Sequence, residues 1–164
     1  MATLTQAEAL RLFEYRDGVL YWKVRAARRT QIGDAVGSKN TKKDPYLITS
    51  IKGVKYLIHK LVFLMHHGYI PSVVDHIDGN VANNKINNLR EATKAQNRHN
   101  SKLNKNNTSG CKNVTWHKND NSWHVTLRAN GKQHSCGYFK DLELADLVAQ
   151  EARDLYHGRF ARHV

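Results

Sequence analysis

The chain has 164 residues, enough for one ordinary domain or two small ones at roughly 100 to 200 residues per domain. Its 40% apolar and 24% charged residues sit near the globular average, so it can bury a core and is not a wholly disordered polymer. Lysine and arginine number 26 against 14 acids, a net charge of +12, and a field of that sign recruits polyanions. Nucleic acid is favoured over membrane, because no apolar run is long enough to span a bilayer and the basic residues do not form one face of an amphipathic helix. With only Cys111 and Cys136, and no Cys-x-x-Cys, neither a disulfide scaffold nor a structural zinc site is expected. The first residues lack a signal peptide's basic-then-apolar pattern, so a cytoplasmic protein is expected.

In chain order, Thr5-Gln6-Ala7-Glu8 is a capping box that opens a short helix, with Leu10 and Phe13 placed on one face. Asp17-Gly18, between Phe13-Glu14-Tyr15 and Val19-Leu20-Tyr21-Trp22, predicts a hairpin whose turn residues both take positive φ. The basic stretch Arg25 to Lys43 reads as loop. A second hairpin pairs Tyr46 to Ile51 with Val54 to Ile58 through Lys52-Gly53, and Leu61 to Met65 form a short buried helix stopped at Gly68.

Composition then changes, with ten asparagines between Asn80 and Asn107. Asparagine favours turns and caps. Residues 101–110 read as a linker between a domain at 1–100 and another at 111–164. The last part offers three strands, Asn113 to Trp116, Ser122 to Ala129 and Gln133 to Phe139, separated by Asn119-Asp120-Asn121 and Asn130-Gly131. Asp141 then caps a helix with Ala145, Val148, Ala149, Ala152, Leu155 and Tyr156 on one face.

The ordered series Asp75-His76-Ile77-Asp78-Gly79-Asn80, Asn83-Asn84, Asn87-Asn88-Leu89-Arg90 and Thr93-Lys94-Ala95-Gln96-Asn97 resembles the HNH endonucleases, particularly the phage and intron-encoded homing type. The resemblance covers residues 54–98, including His59-Lys60-Leu61-Val62. It implies a ββα-metal module: Val73-Val74 lead one strand, Leu89 to Ala92 return, and Thr93-Lys94-Ala95-Gln96 cap a helix carrying Asn97. His76 is the candidate general base, since imidazole titrates near neutrality. By resemblance Asn88 orients that ring and braces the loop, while Asp75 and Asn97 hold one divalent cation. Oxygen donors suit Mg²⁺, with Mn²⁺ as substitute. Asparagine at position 97 makes this an H-N-N variant of the motif. His99 is a rival ligand, but about 200° around the helix from Asn97 it faces away. Asp75 and His76 are adjacent on a strand, so they can flank one phosphate only where the strand ends or twists. His59, His66 and His67 are read as packing or surface residues. Arg90, Lys94 and Arg98, near the constellation, are candidates to hold phosphates, with a solvated basic face as the alternative reading.

Residues 110–160 are similar to an AP2 domain, on Cys111-Lys112-Asn113-Val114-Thr115-Trp116, Trp123-His124-Val125-Thr126-Leu127-Arg128, Gly137-Tyr138-Phe139, Leu144-Ala145 and Gly158-Arg159-Phe160-Ala161. Alternation packs Val114, Trp123, Val125, Leu127 and Phe139 under the helix and leaves Lys112, Thr115, His117, His124, Thr126, Arg128, Gln133 and Ser135 for the other surface, the one the resemblance places in the major groove. Trp116 and Trp123 are read as core rather than as stacking platforms. Residues 101–140 carry seven basic residues and one acid, whereas 141–164 carry three and five, so the basic side is the sheet side.

The resulting expectation is an α+β protein, in which an N-terminal ββα-metal nuclease module with preceding hairpins is followed by an AP2-like three-stranded antiparallel sheet packed on one helix. Its expected activity is site-specific, Mg²⁺-dependent hydrolysis of double-stranded DNA, with nicking the default for a single centre and a homodimer not indicated. The competing reading is a non-catalytic DNA-binding regulator that keeps the HNH scaffold.

Overall fold

A computed structural model describes residues 4–39 and 45–163, and the chain divides between Thr93 and Lys94 into two compact units. The architecture is mixed α and β, with four small antiparallel sheets and four α-helices among the described residues.

In the first unit Thr5 opens α1 (Gln6–Leu12) with the expected reciprocal cap: its hydroxyl accepts from the Glu8 N–H at 3.2 Å, and its own N–H reaches the Glu8 carboxylate at 3.1 Å. Leu10 and Phe13 do not share a helix face as expected. The helix ends at Leu12 and buries Ala9, Leu10 is 45% exposed, and Phe13 begins the next strand. Strands β1 (Phe13–Arg16) and β2 (Val19–Trp22) pair across Asp17 and Gly18, at φ 44° and 92°. The second hairpin joins β4 (Leu47–Ile51) to β5 (Val54–Leu57), with short β3 (Ser38–Lys39) along the far edge of β4. The stretch expected to be loop thus contributes β3, and its residues 40–43 lie outside the described residues. Ile58, expected to end the hairpin, is instead the first residue of α2 (Ile58–His67), which stops at left-handed Gly68 as expected.

Helix α2 is the spine of this unit. Leu61 and Val62 are completely buried among Phe13, Leu20, Ile58 and Leu64, and each such side chain contributes about 1.5–3 kcal/mol relative to exposure. Against this core lies the ribbon of β6 (Val73–His76) and β7 (Leu89–Ala92), in register Val73 to Ala92 through His76 to Leu89.

The second unit begins with α3 (Lys94–His99). Strands β8 (Val114–His117), β9 (Ser122–Ala129) and β10 (Lys132–Phe139) form a meander in the order β10-β9-β8. Asp141 caps α4 (Leu142–His157) by accepting from Leu144 N–H at 2.7 Å. Val114, Trp123, Val125, Leu127 and Phe139 pack with Ala145, Ala149 and Ala152 as the alternation predicts. Three expectations fail here. Trp116 lies on an edge strand and is 43% exposed, and on the helix face Leu155 is 78% and Tyr156 41% exposed. Arg153 is instead fully buried on α4, and its guanidinium donates to the Lys112 carbonyl at 2.5 Å.

The division between units falls before residues 101–110, the stretch expected to be the linker. That stretch is tied to the second unit: Asn107 accepts from Gly110 N–H at 2.7 Å and donates to the Cys111 carbonyl at 3.0 Å, and Ser109 donates to the Val114 carbonyl at 2.8 Å.

His59, on α2, is 4% exposed. Burial, reinforced by the neighbouring His76 and Lys60 charges, pushes its pKa from 6.5 down to about 3. The unfolded chain therefore binds the proton at higher pH than the folded one. The stability from keeping this ring neutral is complete above pH 6.5 and is lost as pH falls toward 3. Thermal unfolding across that window is expected to show a steeper acid loss for the natural protein than for His59→Leu; equal slopes would contradict the assignment.

Candidate active site

Strand β6 ends at His76, with Asp75 and His76 still in register with Arg90 and Leu89 of β7. Asp75 and His76 are the last two residues of the strand, each 4% exposed, and beyond them the chain turns through Gly79 N–H to the His76 carbonyl at 2.8 Å. Opposite Asp75 in the ribbon stands Arg90, whose Nε and Nη2 both donate to Asp75 Oδ2 at 2.8 Å. Arg90 was expected to hold phosphate. Its side chain is only 12% exposed, and its guanidinium is engaged with the carboxylate.

The loop from Ile77 to Asn88 is closed by amide and carboxylate groups. Asp78 Oδ1 accepts from Asn80 N–H at 2.7 Å and from the Asn88 amide at 2.9 Å, while Oδ2 accepts from the Asn83 amide at 2.7 Å. Asn88 answers by accepting from Asp78 N–H at 3.0 Å and by donating to the Asn83 carbonyl at 2.8 Å. Partial burial works the other way, but the hydrogen bonds from Asn83, Asn80 and Asn88 hold the Asp78 carboxyl below its ordinary value. Asn88 thus ties Asp78 to Asn83 across this loop, while no contact between its amide and the His76 ring is seen among the described residues.

The contact to the imidazole comes from a residue the sequence reading did not single out. His76 Nε2 lies 3.0 Å from Asn84 Oδ1, and Asn84 is itself 4% exposed. An amide oxygen only accepts, so the neutral ring carries its proton on Nε2 and its lone pair on Nδ1. Its ring packs edge-on against His59, with centroids 5.1 Å apart.

The first hairpin supports this loop. The Tyr15 hydroxyl accepts from Ile86 N–H at 2.9 Å, Asp17 pairs with Lys85 at 2.9 Å, and a Cβ on Gly18 would stand 3.0 Å from Lys85 N. No local sequence signal announces the hairpin contacts, because they join segments about 70 residues apart.

A divalent cation was expected on Asp75 and Asn97. Among the described residues no three His, Cys, Asp or Glu side chains converge. Of the two expected donors, Asp75 offers a buried carboxylate, whose several lone-pair sites allow it to bind a cation while keeping Arg90. Asn97 is exposed on α3, in the second unit. His99 on the same helix stacks on His157 at 3.7 Å, and burial pulls its pKa down.

In the second unit Arg98 and Arg128 line one cavity of about 360 Å³, together with Lys94 and His99. The register puts Thr115, Thr126, Gln133, Ser135 and Arg128 on the sheet face opposite α4, and His117 joins them, paired with Asp120 at 2.9 Å. His124 on that face stacks on Tyr138 at 4.0 Å. Tyr138 is 50% exposed and was missed, although alternation through Phe139 marks its side. Lys112 does not belong to this surface as expected. Its ammonium donates to the His99 carbonyl at 2.9 Å and the Ser101 carbonyl at 2.6 Å, and burial, with the Arg153 and Arg162 charges, pulls its pKa down to about 8.

A family model described as HNH endonuclease matches residues 56–99, which run from β5 to the end of α3. Protein 3.8 of Escherichia phage T7 is 41% identical over 108 residues, covering 63% of this chain and 87% of that protein. No solved structure matches the chain. The chain belongs to the family of phage T7 Protein 3.8, and its residues 56–99 form an HNH endonuclease domain.

Proposed function

We propose that the protein is a metal-dependent DNA endonuclease of homing type, in which the domain carrying residues 56–99 hydrolyses a phosphodiester and residues 111–164 read the DNA. The observation that supports this reading is the end of β6, where the successive residues Asp75 and His76 are both buried and the His76 ring is held through Nε2 by Asn84. His76 Nδ1 takes a proton from water as its oxygen attacks phosphorus. The new O–P bond forms as the bond to the 3′ oxygen breaks, leaving a 5′ phosphate. Asp75 and Asn97 would hold one Mg²⁺ or Mn²⁺, which when bound stabilises charge on the phosphate and the departing oxygen. Asn88 acts by keeping the loop closed, and Asn84 by fixing the ring's tautomer and direction.

The AP2-like reading of the second unit is supported by its meander and helix and by a sheet face bearing Thr115, His117, Thr126, Arg128, Gln133 and Ser135. Arg128 and Arg98 are the candidates for phosphate or base contact, since a planar guanidinium matches paired oxygen acceptors. Double-stranded DNA is the substrate and one centre cuts one strand at a time, so the expected product is nicked. No helix among the described residues is long and apolar enough to cross a membrane, and the site of action under this reading is the cytoplasm of a phage's host.

Supercoiled plasmid with Mg²⁺ tests the reading. The natural protein is expected to yield nicked circles, and His76→Ala to slow that conversion by about 10²–10⁴-fold, the usual worth of a general base. A variant that cuts at the natural rate removes His76 from the chemistry. Supercoiled DNA that is bound but uncut with either Mg²⁺ or Mn²⁺ would favour the non-catalytic regulator.

Steady-state kinetics separate the role of Asn84. Its alanine variant is expected to lose about tenfold or more in kcat with KM nearly unchanged, because an orienting contact acts on the chemical step rather than on binding. Asn84→Asp keeps an acceptor for Nε2 and is expected to recover most of that loss. Equal effects on kcat and KM, with no recovery by aspartate, would reduce Asn84 to a packing residue.

A further inference from the structure

The loop that follows β2 has no part in the chemistry above, yet its charge is unusual. Residues 23–34 carry Lys23, Arg25, Arg28 and Arg29 against one acid, Asp34. The segment is not slack. Trp22 N–H donates to the Asp34 carbonyl at 3.0 Å, Gly33 N–H returns to the Trp22 carbonyl at 2.8 Å, and Tyr21 bridges to Ala35. Inside the loop Thr30 N–H reaches the Ala27 carbonyl at 3.1 Å and the Arg25 guanidinium reaches the Arg28 carbonyl at 3.1 Å. The single acid is turned onto its own backbone, where Asp34 Oδ2 accepts from Gln31 N–H at 2.8 Å.

Arg25, Arg28 and Arg29 therefore line one open cleft of about 420 Å³ with Thr30, Gln31 and Ile32, and none of the three pairs with a carboxylate among the described residues. Three like charges on one ordered loop repel each other, and an anion between them would relieve the repulsion. We propose that this cleft is a phosphodiester-binding site of the first unit, through which the nuclease unit grips duplex DNA independently of the sheet in the second unit. The guanidinium fork suits paired phosphate oxygens, and three arginines gathered on one loop match the spaced charges of a backbone, a contact that positions the duplex without reading its sequence. This proposal rests on the DNA-cutting reading and extends it to a second contact surface.

Counterion release gives the test. The slope of log affinity on log salt changes by about 0.9 for each phosphate neutralised on duplex DNA. Binding of the full chain to a short duplex of arbitrary sequence, followed by fluorescence anisotropy over a range of salt, is expected to lose about two to three units of slope in R25S/R28S/R29S. The triple lysine variant should keep most of the slope. Each single serine variant should lose about one unit, which keeps the test open should the triple serine variant unfold. Natural protein that binds and nicks DNA, with a slope unchanged by the serine substitutions, overturns the cleft and leaves the nuclease reading standing. Natural protein that neither binds nor cuts duplex DNA overturns both.

Discussion

The whole site depends on the closure of one polar loop. Between β6 and β7 the chain has little apolar residue to bury, and a segment of that kind stays ordered only when its backbone groups find partners. Asp78 and Asn88 supply them across the base of the loop, each bonding the other, with Asn83 joining both. Asparagine suits this work because one side chain both donates and accepts in a fixed plane, so it can stand in for a missing strand partner. The high asparagine content of the region is the compositional trace of that requirement. The loop begins directly after Asp75 and His76, the last two residues of β6.

Charge inside the unit is arranged so that His76 has little competition. Asp75 and Arg90 compensate each other across the ribbon, and His59, which touches the His76 ring, is held neutral by burial. A buried pair of this kind contributes little net stability, because desolvation offsets most of the attraction, and its retention is understood better as placement of the carboxylate than as a source of stability. The uncompensated positive charge lies elsewhere: on the arginine loop of the first unit, and around Arg98 and Arg128 in the second. Neutralised interior and charged periphery suit a protein that draws in a polyanion and reacts at one linkage of it.

Local chemistry was well written in the sequence. The Thr5–Glu8 box, the Asp17-Gly18 turn, the Gly68 stop and the Asp141 cap each depend on residues within a few positions of one another, and each formed as expected. Strands β6 and β7 and the partners expected under α4 were legible for the same reason, since alternation is a local pattern. What escaped depends on distant packing. Leu155 and Trp116 follow the apolar periodicity but stay exposed, whereas Arg153, a charged residue on the same helix as Leu155, is fully buried. Lys112 and Arg90 look like free cations in the sequence, and only the fold reveals the carbonyls and the carboxylate that hold them. Asn84 was one asparagine among many until the loop closed and aimed its oxygen at His76.

The account assigns different work to two adjacent side chains, and manganese binding separates them. Electron paramagnetic resonance of Mn²⁺ titrated with the protein and duplex DNA should show bound metal for the natural protein and for His76→Ala, and its loss in Asp75→Asn. Retention of the ion by the Asp75 variant, or its loss in the His76 variant, would contradict the division of roles at the end of β6.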